Sequence, residues 1–150
     1  MKWITRQNVK VDRVACPWLI KRFVDADANF IFVPEAQLLE AARREGATPF
    51  DASRIPEVRL NHRGDRCTFE AILEDFHLDD PALHRLGLIV RGADVKGQEQ
   101  IAPESAGLCA LADGFAALGI GDEERLAREF PVYDALYAYL RQKAVTPYVD

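Results

Sequence analysis

The sequence predicts an α/β (α+β) fold in which a small N-terminal sheet layer packs against an all-helical C-terminal half. Strand and helix patterns alternate over roughly the first third of the chain, which is typical of α/β proteins. From Thr68 onward the apolar residues follow helical spacing instead. A chain of 150 residues is long enough to bury one core, so we assign residues 1–150 to a single domain.

The first strand and the first helix come from the N-terminal 25 residues. Trp3–Thr5 predicts a short strand, and helically spaced apolar residues predict a helix over 17–25. Pro17 suits the first helical position, because its φ is fixed at a helical value and its missing N–H is not needed there. The free N–H groups of such a helix start would face Arg13 and Cys16. This arrangement predicts a site for a small anion and a stabilised thiolate at Cys16.

A second strand and helix follow directly. The apolar run Asn29–Val33 predicts a buried strand that Pro34 ends. Residues 35–45 then predict a helix, for which Gly46 is the expected C-cap. Residues 48–51 predict a further short extended segment.

The middle of the chain contains two helix start signals. Thr68 is placed to N-cap a helix that reaches Phe76. Asp80 and Pro81 supply the N-cap and the first residue of the next helix, which we expect to break near Gly92.

The C-terminal third predicts three more helices. An Ala- and Leu-rich helix over 104–118 is closed by Gly119. Asp122 is placed to cap a short helix that reaches Phe130. Because Pro131 interrupts the pattern, we expect a separate last helix over 133–141.

Composition restricts the compartment and the class of protein. No apolar run approaches the roughly 18–20 residues that cross a membrane, and the N-terminus lacks the apolar region of a secretory signal. Three scattered cysteines argue against a disulfide framework and fit a reducing compartment. We therefore expect a cytoplasmic protein that does not interact with membranes.

The net charge of -5 is unevenly distributed along the chain. Residues 1–25 carry six Lys and Arg against two Asp, whereas residues 99–134 carry eight acidic residues against two Arg. The basic N-terminal part is suited to face an anion, although simple variation of surface charge explains the pattern equally well. The net acidity and the absence of a helix-turn-helix or basic-arm pattern argue against direct binding of nucleic acid.

Several blocks, in a fixed order over residues 3–140, resemble the chromate-resistance (ChrB-type, C-terminal) domain family. These blocks are Trp3–Arg6, Val9–Arg13 with Ala15–Ile20, Phe30–Pro34, Pro49–Asp51, His62 with Cys67–Glu70, Asp80–Leu83, Ile89–Asp94, and Ala102–Glu104 with Gly107–Leu108.

The resemblance implies a role in chromate resistance, a stress response, through binding or sensing of a small oxyanion such as chromate or sulfate. It also implies that Arg6, Arg13 and His62 take part in sensing. The full-length regulators of the family are similar to a fusion of this domain with an N-terminal DNA-binding module, and we expect the present chain to lack that module.

The residues themselves support an oxyanion pocket lined by Arg6, Lys10, Arg13 and His62. Guanidinium groups suit tetrahedral oxyanions because their planar fork donates two parallel hydrogen bonds. In the alternative interpretation, Arg13 pairs with Asp12 or Asp51 and Arg6 is a surface residue.

A metal site is the alternative functional interpretation. Its candidate ligands are Cys16, His62, Cys67, Glu70, Asp94 and Glu104. These residue types bind zinc, iron or manganese, but no pair has a tight ligand spacing. In this case the protein is a metal-dependent enzyme that acts on a small anionic substrate, with one divalent transition metal held by His62, Asp94 and Glu104 and with Arg13 orienting the substrate. In the alternative interpretation, Asp94 and Glu104 cap helices and His62 is a histidine at the end of a strand with its hydrogen bonds satisfied, so that none of the three is a ligand.

Two further groups carry open alternatives. Cys16 or Cys67 is either a reactive thiol or a buried inert residue, and Cys109 is expected in the core. His77 and His84 are expected at the surface, with His84 as a remote ligand candidate. The C-terminal tyrosines contribute either to a homodimer interface or to the core; they are Tyr133, Tyr137 and Tyr139.

Overall fold

The computed structural model describes residues 1–145 of the chain. Within that range three strands and six α-helices form the predicted α/β arrangement. The strands are β1 (Lys2–Arg6), β2 (Asn29–Val33) and β3 (Thr48–Pro49). The helices are α1 (Asp12–Leu19), α2 (Leu38–Glu45), α3 (Thr68–Asp75), α4 (Pro81–Asp94), α5 (Ser105–Ala117) and α6 (Asp122–Val145).

The described strands form a parallel sheet in the order β2-β1-β3. Trp3 of β1 lies opposite Phe30 of β2 and Thr48 of β3. Helix α1 leads from β1 to β2, and α2 leads from β2 back past β1 to β3. Successive strands are therefore added on opposite sides of β1, which makes a topological switch point between β1 and β3. Ligand sites of open parallel sheets lie at the carboxyl ends of the strands beside such a switch point.

The sheet is buried on both faces because its central strand alternates between two apolar clusters. Trp3 packs into the larger cluster, which contains α1, α3, α4 and α6 residues. Ile4 packs into the smaller cluster with Leu38, Ala41 and Ala42 of α2. Strand β2 is half-buried rather than buried as predicted, because it lies at the edge of the sheet.

The predicted position of Pro17 at the start of the first helix is wrong. Helix α1 begins at Asp12, since the Val11 carbonyl already accepts a hydrogen bond from the Ala15 N–H at 2.9 Å. Pro17 lies inside α1, where its missing N–H leaves the Arg13 carbonyl without the usual helical donor. The N–H groups that follow Pro17 therefore lie inside the helix and do not form the predicted anion site. A π-helical turn, Ile20–Val24, continues α1.

The start of α3 also differs by one residue from the prediction. Cys67, not Thr68, is the N-cap, and Thr68 is the first residue of the helix. The N–H of Thr68 is satisfied from outside the helix, because the Asp12 carboxylate accepts it at 3.0 Å. Sequence reasoning assigned the cap to the hydroxyl of Thr68, which instead donates to Asp51.

Gly92 does not break α4, which continues to Asp94. A Cβ at Gly92 would lie 2.3 Å from Ser105 Oγ and 2.6 Å from Ile101 Cγ2. The glycine is therefore needed for the close approach of α5 and its preceding loop to α4. The predicted start of α4 is confirmed, because Asp80 accepts the Ala82 N–H and Pro81 is the first helical residue.

The predicted break at Pro131 is wrong as well, since α6 passes through it as one helix. Buried residues on both sides of Pro131, Leu126 and Leu140 among them, anchor α6 to the core. Tyr133 is buried and Tyr137 is partly buried against the same core, whereas Tyr139 is 41% exposed. The described helices include none that is both long enough and apolar enough to span a lipid bilayer.

Candidate functional site

The candidate site lies at the carboxyl ends of β1 and β3, beside the switch point of the sheet. Arg6 is the last residue of β1, and Asp51 follows β3 by two residues. Arg6 Nε donates to the Asp51 carbonyl at 2.9 Å, and Arg6 Nη2 lies 3.5 Å from Asp51 Oδ2. Arg6 Nη1 also contacts Glu35, which follows the edge strand β2. Arg6 is therefore a partly buried residue that pairs with Asp51 and Glu35, and not the surface residue of the alternative interpretation.

Arg13 reaches the same carboxylate from the second residue of α1. It is only 6% exposed, and its Nε lies 3.7 Å from Asp51 Oδ2. This Nε is buried and has no hydrogen-bond partner among residues 1–145. Burial and the neighbouring positive charge of Arg6 lower the pKa of Arg13. Asp51 thus neutralises Arg13 without accepting a hydrogen bond from its Nε.

His62 lies at the centre of a group of carboxylates. Its Nε2 is 3.2 Å from Asp12 Oδ2 and 3.2 Å from Asp94 Oδ2. The same nitrogen is 3.6 Å from Asp51 Oδ1. Three separate parts of the chain bring these carboxylates together: the first residue of α1, the segment after β3, and the last residue of α4.

The electrostatics of this group favour a positive charge at its centre. The adjacent Asp12 and Asp94 carboxylates raise the pKa of His62 to about 10, so the imidazole is cationic at neutral pH. Burial and the negative charge of Asp94 raise the pKa of Asp12 to about 8. Burial and Asp94 also raise the pKa of Asp51. The buried carboxylates are therefore costly to ionise unless a cation lies among them.

Hydrogen bonds from the surrounding backbone and side chains hold the acidic residues in place. Thr68 Oγ1 donates to Asp51 Oδ1 at 2.7 Å, while the Thr68 N–H donates to Asp12. The buried Thr5 hydroxyl donates to the Asp51 carbonyl at 3.4 Å. Asp51 itself has a φ of 50°, a left-handed conformation that places its carboxylate and its carbonyl toward the arginines.

Hydrogen bonds from α6 hold the loop between β1 and α1 in place. Asp122 accepts the N–H groups of Asn8 and Val9 at 2.9 and 2.8 Å. The buried Arg125 donates to the Val9 carbonyl and pairs with Glu129 at 2.8 Å. This loop leads directly into Asp12 and Arg13, so α6 fixes the position of the start of α1.

The structure unites most of the predicted oxyanion residues. Arg6, Arg13 and His62 all contact the carboxylate of Asp51. Arg13 does pair with Asp51, as in the alternative interpretation, and this ion pair lies within the predicted oxyanion site. Lys10 lies in the β1–α1 loop with an exposed side chain.

The predicted metal ligands divide into two sets. Among the residues that the structure describes, Asp12, His62 and Asp94 form a group whose ligand atoms all lie within 4.8 Å of one another. Glu104 is outside this group and lies 3.8 Å from Arg85, at the N-cap of α5. Glu104 occupies the N-cap position of α5, but its side chain makes no capping hydrogen bond, so the alternative role as a helix cap holds for its position only. Asp94, the last residue of α4, belongs to the group.

The remaining predicted ligands have other partners. Glu70 accepts the Cys67 N–H at 3.0 Å and pairs with Arg91 at 3.2 Å. The Cys67 thiol faces the Gly87 carbonyl at 3.9 Å. The histidines expected at the surface are exposed there, and His84 Nε2 lies 2.8 Å from a backbone carbonyl, that of Leu78.

The predicted thiolate at Cys16 is wrong. Cys16 is fully buried, and burial together with the charge of Asp12 raises its pKa well above the usual value. Burial likewise raises the pKa of Cys67. The alternative of buried, inert thiols thus describes both residues. Cys109 is only half-buried, in contrast to the core position predicted for it.

Sequence reasoning did not select Asp12 and Asp51 as functional residues, although it considered both as partners of Arg13. One signal was available for Asp51: it follows a short extended segment, and the residues after parallel strands gather at one edge of the sheet. Asp12 is the first residue of α1. Because the prediction began this helix at Pro17, it placed Asp12 in the preceding loop.

Comparisons with known proteins identify the family to which this chain is similar. The family model described as "ChrB, C-terminal domain" matches residues 3–140. The chain is 37% identical over 134 residues to a protein of Cupriavidus metallidurans described as "Protein ChrB". That match covers 89% of this chain and 36% of the relative, so the chain spans about a third of its length. A search of solved structures found no match.

Proposed function

Because this chain belongs to the chromate-resistance ChrB C-terminal domain family, we propose that it binds a small tetrahedral oxyanion of the chromate and sulfate type. The binding residues are Arg6, Arg13 and His62, at the carboxyl edge of the sheet. In this proposal the domain responds to the anion, and any further action requires a partner.

The buried Nε of Arg13, which has no hydrogen-bond partner, is the observation that carries this proposal. A guanidinium has five N–H donors, and a buried donor without an acceptor costs about 1–3 kcal/mol. Arg13 Nε is buried without such an acceptor, and Asp51 Oδ2 lies 3.7 Å from it. A tetrahedral oxyanion beside Arg13 supplies acceptors at hydrogen-bond distance and opposite charge.

Arg6 and His62 extend the same binding surface. Both contact Asp51 and both remain partly open, with 21% and 29% of their side chains exposed. His62 adds positive charge at neutral pH, since its pKa is raised to about 10. An anion therefore has an approach from solvent through Arg6 and His62, and its deepest contact is with Arg13.

In this proposal Asp51 competes with the external anion for the two arginines. Its Oδ2 faces both arginines, while its Oδ1 accepts a hydrogen bond from Thr68. An incoming anion replaces Oδ2 as the partner of the guanidinium groups, and Thr68 keeps Asp51 attached to the fold. The site thus exchanges an internal carboxylate for an external oxyanion.

Isothermal titration calorimetry with sulfate tests the proposal. We expect wild-type protein to bind sulfate and Arg13→Gln to bind it about 10- to 150-fold more weakly, which corresponds to the loss of about 1.5–3 kcal/mol from a charge-assisted hydrogen bond. Arg22→Gln is the matched control, because Arg22 follows the same helix but pairs with Asp134 at 3.0 Å. Equal sulfate affinities of wild type and Arg13→Gln would contradict the proposal.

A further inference from the structure

We infer that Asp12, His62 and Asp94 bind one divalent first-row transition-metal cation, and that this cation strengthens the binding of the oxyanion. The second half of the inference rests on the function proposed above. The first half stands on the geometry and the charges of the three residues alone.

Two of the three spacings between the ligand atoms match those around a single cation, and the third, between the two aspartates, is within 4.8 Å. Ligands about 2.1 Å from a metal lie about 3.0 Å apart at right angles and about 3.4 Å apart at the tetrahedral angle. His62 Nε2 lies 3.2 Å from both Asp12 Oδ2 and Asp94 Oδ2. The two aspartates come from opposite ends of two packed helices, the first residue of α1 and the last of α4, so their backbones are fixed.

The charges of the group point in the same direction. Arg6 and Arg13 contact Asp51, and among residues 1–145 the ion-pair partner of Asp12 and Asp94 is His62. Two carboxylates thus face one imidazole. A divalent cation neutralises both carboxylates while the imidazole binds in its neutral form, which removes the cost of leaving a negative charge in a largely buried place. With the cation bound, His62 is a ligand of the cation, and the cation replaces the positive charge that His62 presents to the anion in cation-free protein.

The cation site and the anion site share Asp51. Its Oδ1 lies 3.6 Å from His62 Nε2, and its Oδ2 lies 3.7 Å from Arg13 Nε. The unpartnered and almost fully buried Nε of Arg13 therefore opens onto the same carboxylate that borders the cation group. An anion held by Arg13 lies beside the cation, close enough for strong mutual attraction.

Charge balance explains why the anion would need the cation. With all groups ionised, and leaving aside the partly exposed Glu35 beside Arg6, the three carboxylates of Asp12, Asp51 and Asp94 are balanced by Arg6, Arg13 and His62. A bound dianion would leave this set two charges negative. A divalent cation beside a neutral imidazole reduces that deficit to one negative charge, so the two ligands favour each other's binding.

The donor set indicates which cations fit. Two carboxylates and one imidazole suit manganese, iron and zinc rather than the soft cations that select thiolates. The nearby Cys16 thiol donates to Asp12 at 3.7 Å but lies outside the group of ligand atoms, so the donor set contains no sulfur. Mn²⁺ is the probe that best matches a site dominated by oxygen ligands.

Calorimetric titration of chelator-treated protein with Mn²⁺ tests the cation site. We expect wild type to bind one Mn²⁺ per chain and Asp94→Asn to bind it at least tenfold more weakly. Glu104→Gln is the control, because Glu104 is also a helix-end carboxylate near α4 but lies outside the group. His62→Gln provides a second ligand variant if Asp94→Asn does not fold by circular dichroism. Absence of Mn²⁺ and Zn²⁺ binding, or unchanged binding in a folded ligand variant, overturns the inference.

Sulfate titrations with and without saturating Mn²⁺ test the coupling. We expect sulfate to bind at least tenfold more tightly when Mn²⁺ is present. Equal sulfate affinity in both states overturns the coupling and leaves the proposed function standing. Mn²⁺ binding with no sulfate binding in either state overturns the proposed function and leaves the cation site standing.

Discussion

Arg13 and Asp51 face each other at the carboxyl edge of the sheet, with 3.7 Å between Arg13 Nε and Asp51 Oδ2. This distance is short enough for charge compensation but too long for a hydrogen bond. The pair therefore neutralises a buried guanidinium while leaving its Nε donor unused. The unused donor is therefore available to an external anion, as the proposed oxyanion binding requires.

Removal of the charge of Asp51 should strengthen oxyanion binding. We expect Asp51→Asn to bind sulfate at least tenfold more tightly than wild type, about 1.4 kcal/mol, because the anion no longer competes with a carboxylate for the arginines. Asparagine tolerates the φ of 50° at this position and can still accept the Thr68 hydroxyl. Calorimetry under matched conditions measures the change. Weaker or unchanged sulfate binding would show that Asp51 is not the competitor.

His62 should make stability depend on pH in metal-free protein. Its pKa is raised from 6.5 to about 10 by Asp12 and Asp94, so protonation stabilises the folded state. The contribution is fully present below pH 6.5 and is lost as the pH rises through about 10. Urea unfolding with chelator at about pH 6 and about pH 10.5, on either side of this window, measures the unfolding free energies of wild type and His62→Gln. We expect the advantage of wild type over His62→Gln to be larger at the lower pH. A difference in unfolding free energy that does not change with pH would argue against a charged His62 in this group.

Arg125 should matter far more to stability than Arg128, although both form ion pairs along α6. Arg125 and Glu129 are each 5% exposed and lie 2.8 Å apart, whereas Arg128 and Glu124 are about half exposed at the same distance. We expect Arg125→Met to cost about 3–5 kcal/mol, because it leaves Glu129 buried and unpaired. The control Arg128→Met should cost about 0.3–0.5 kcal/mol. Urea unfolding separates the two, and equal costs would mean that burial does not govern these pairs.

Gly92 should tolerate no side chain. In Gly92→Ala the new Cβ meets Ser105 Oγ and Ile101 Cγ2, and we expect a loss of about 1–3 kcal/mol from overpacking. Gly114→Ala is the control, because no atom lies within 4 Å of a Cβ there, and the α5 backbone should gain about 0.5–1 kcal/mol. Thermal unfolding of both variants tests the contrast. A stable Gly92→Ala would contradict the close contact between α4 and the start of α5.

The sequence predicted the fold where local chemistry decides the structure. Asp80 and Pro81 define the start of α4, and Gly46 ends α2 with a left-handed φ of 64°. The helix ends predicted at Pro17 and Pro131 were wrong, because each proline lies inside a helix. Local propensity penalises an internal proline, but packing of α1 and α6 against each other and the core compensates for the lost hydrogen bond.

The sequence predicted the cationic half of the site better than its acidic half. Resemblance to a family pointed to Arg6, Arg13 and His62, which the structure does bring together. Asp12 and Asp51 join them only through tertiary packing, since the start of α1, the segment after β3 and the end of α4 are far apart in sequence. No local spacing reports such a convergence, so only the fold identifies the group.

The most direct test is a crystal structure of the protein soaked with chromate, with anomalous scattering recorded at the chromium edge to locate the metal atom of the anion. We expect a chromium peak beside Arg13, with anion oxygens at hydrogen-bond distance from its guanidinium and within reach of Arg6 and His62. A crystal in which chromium occupies other positions only, with Arg13 still facing Asp51 alone, would contradict it.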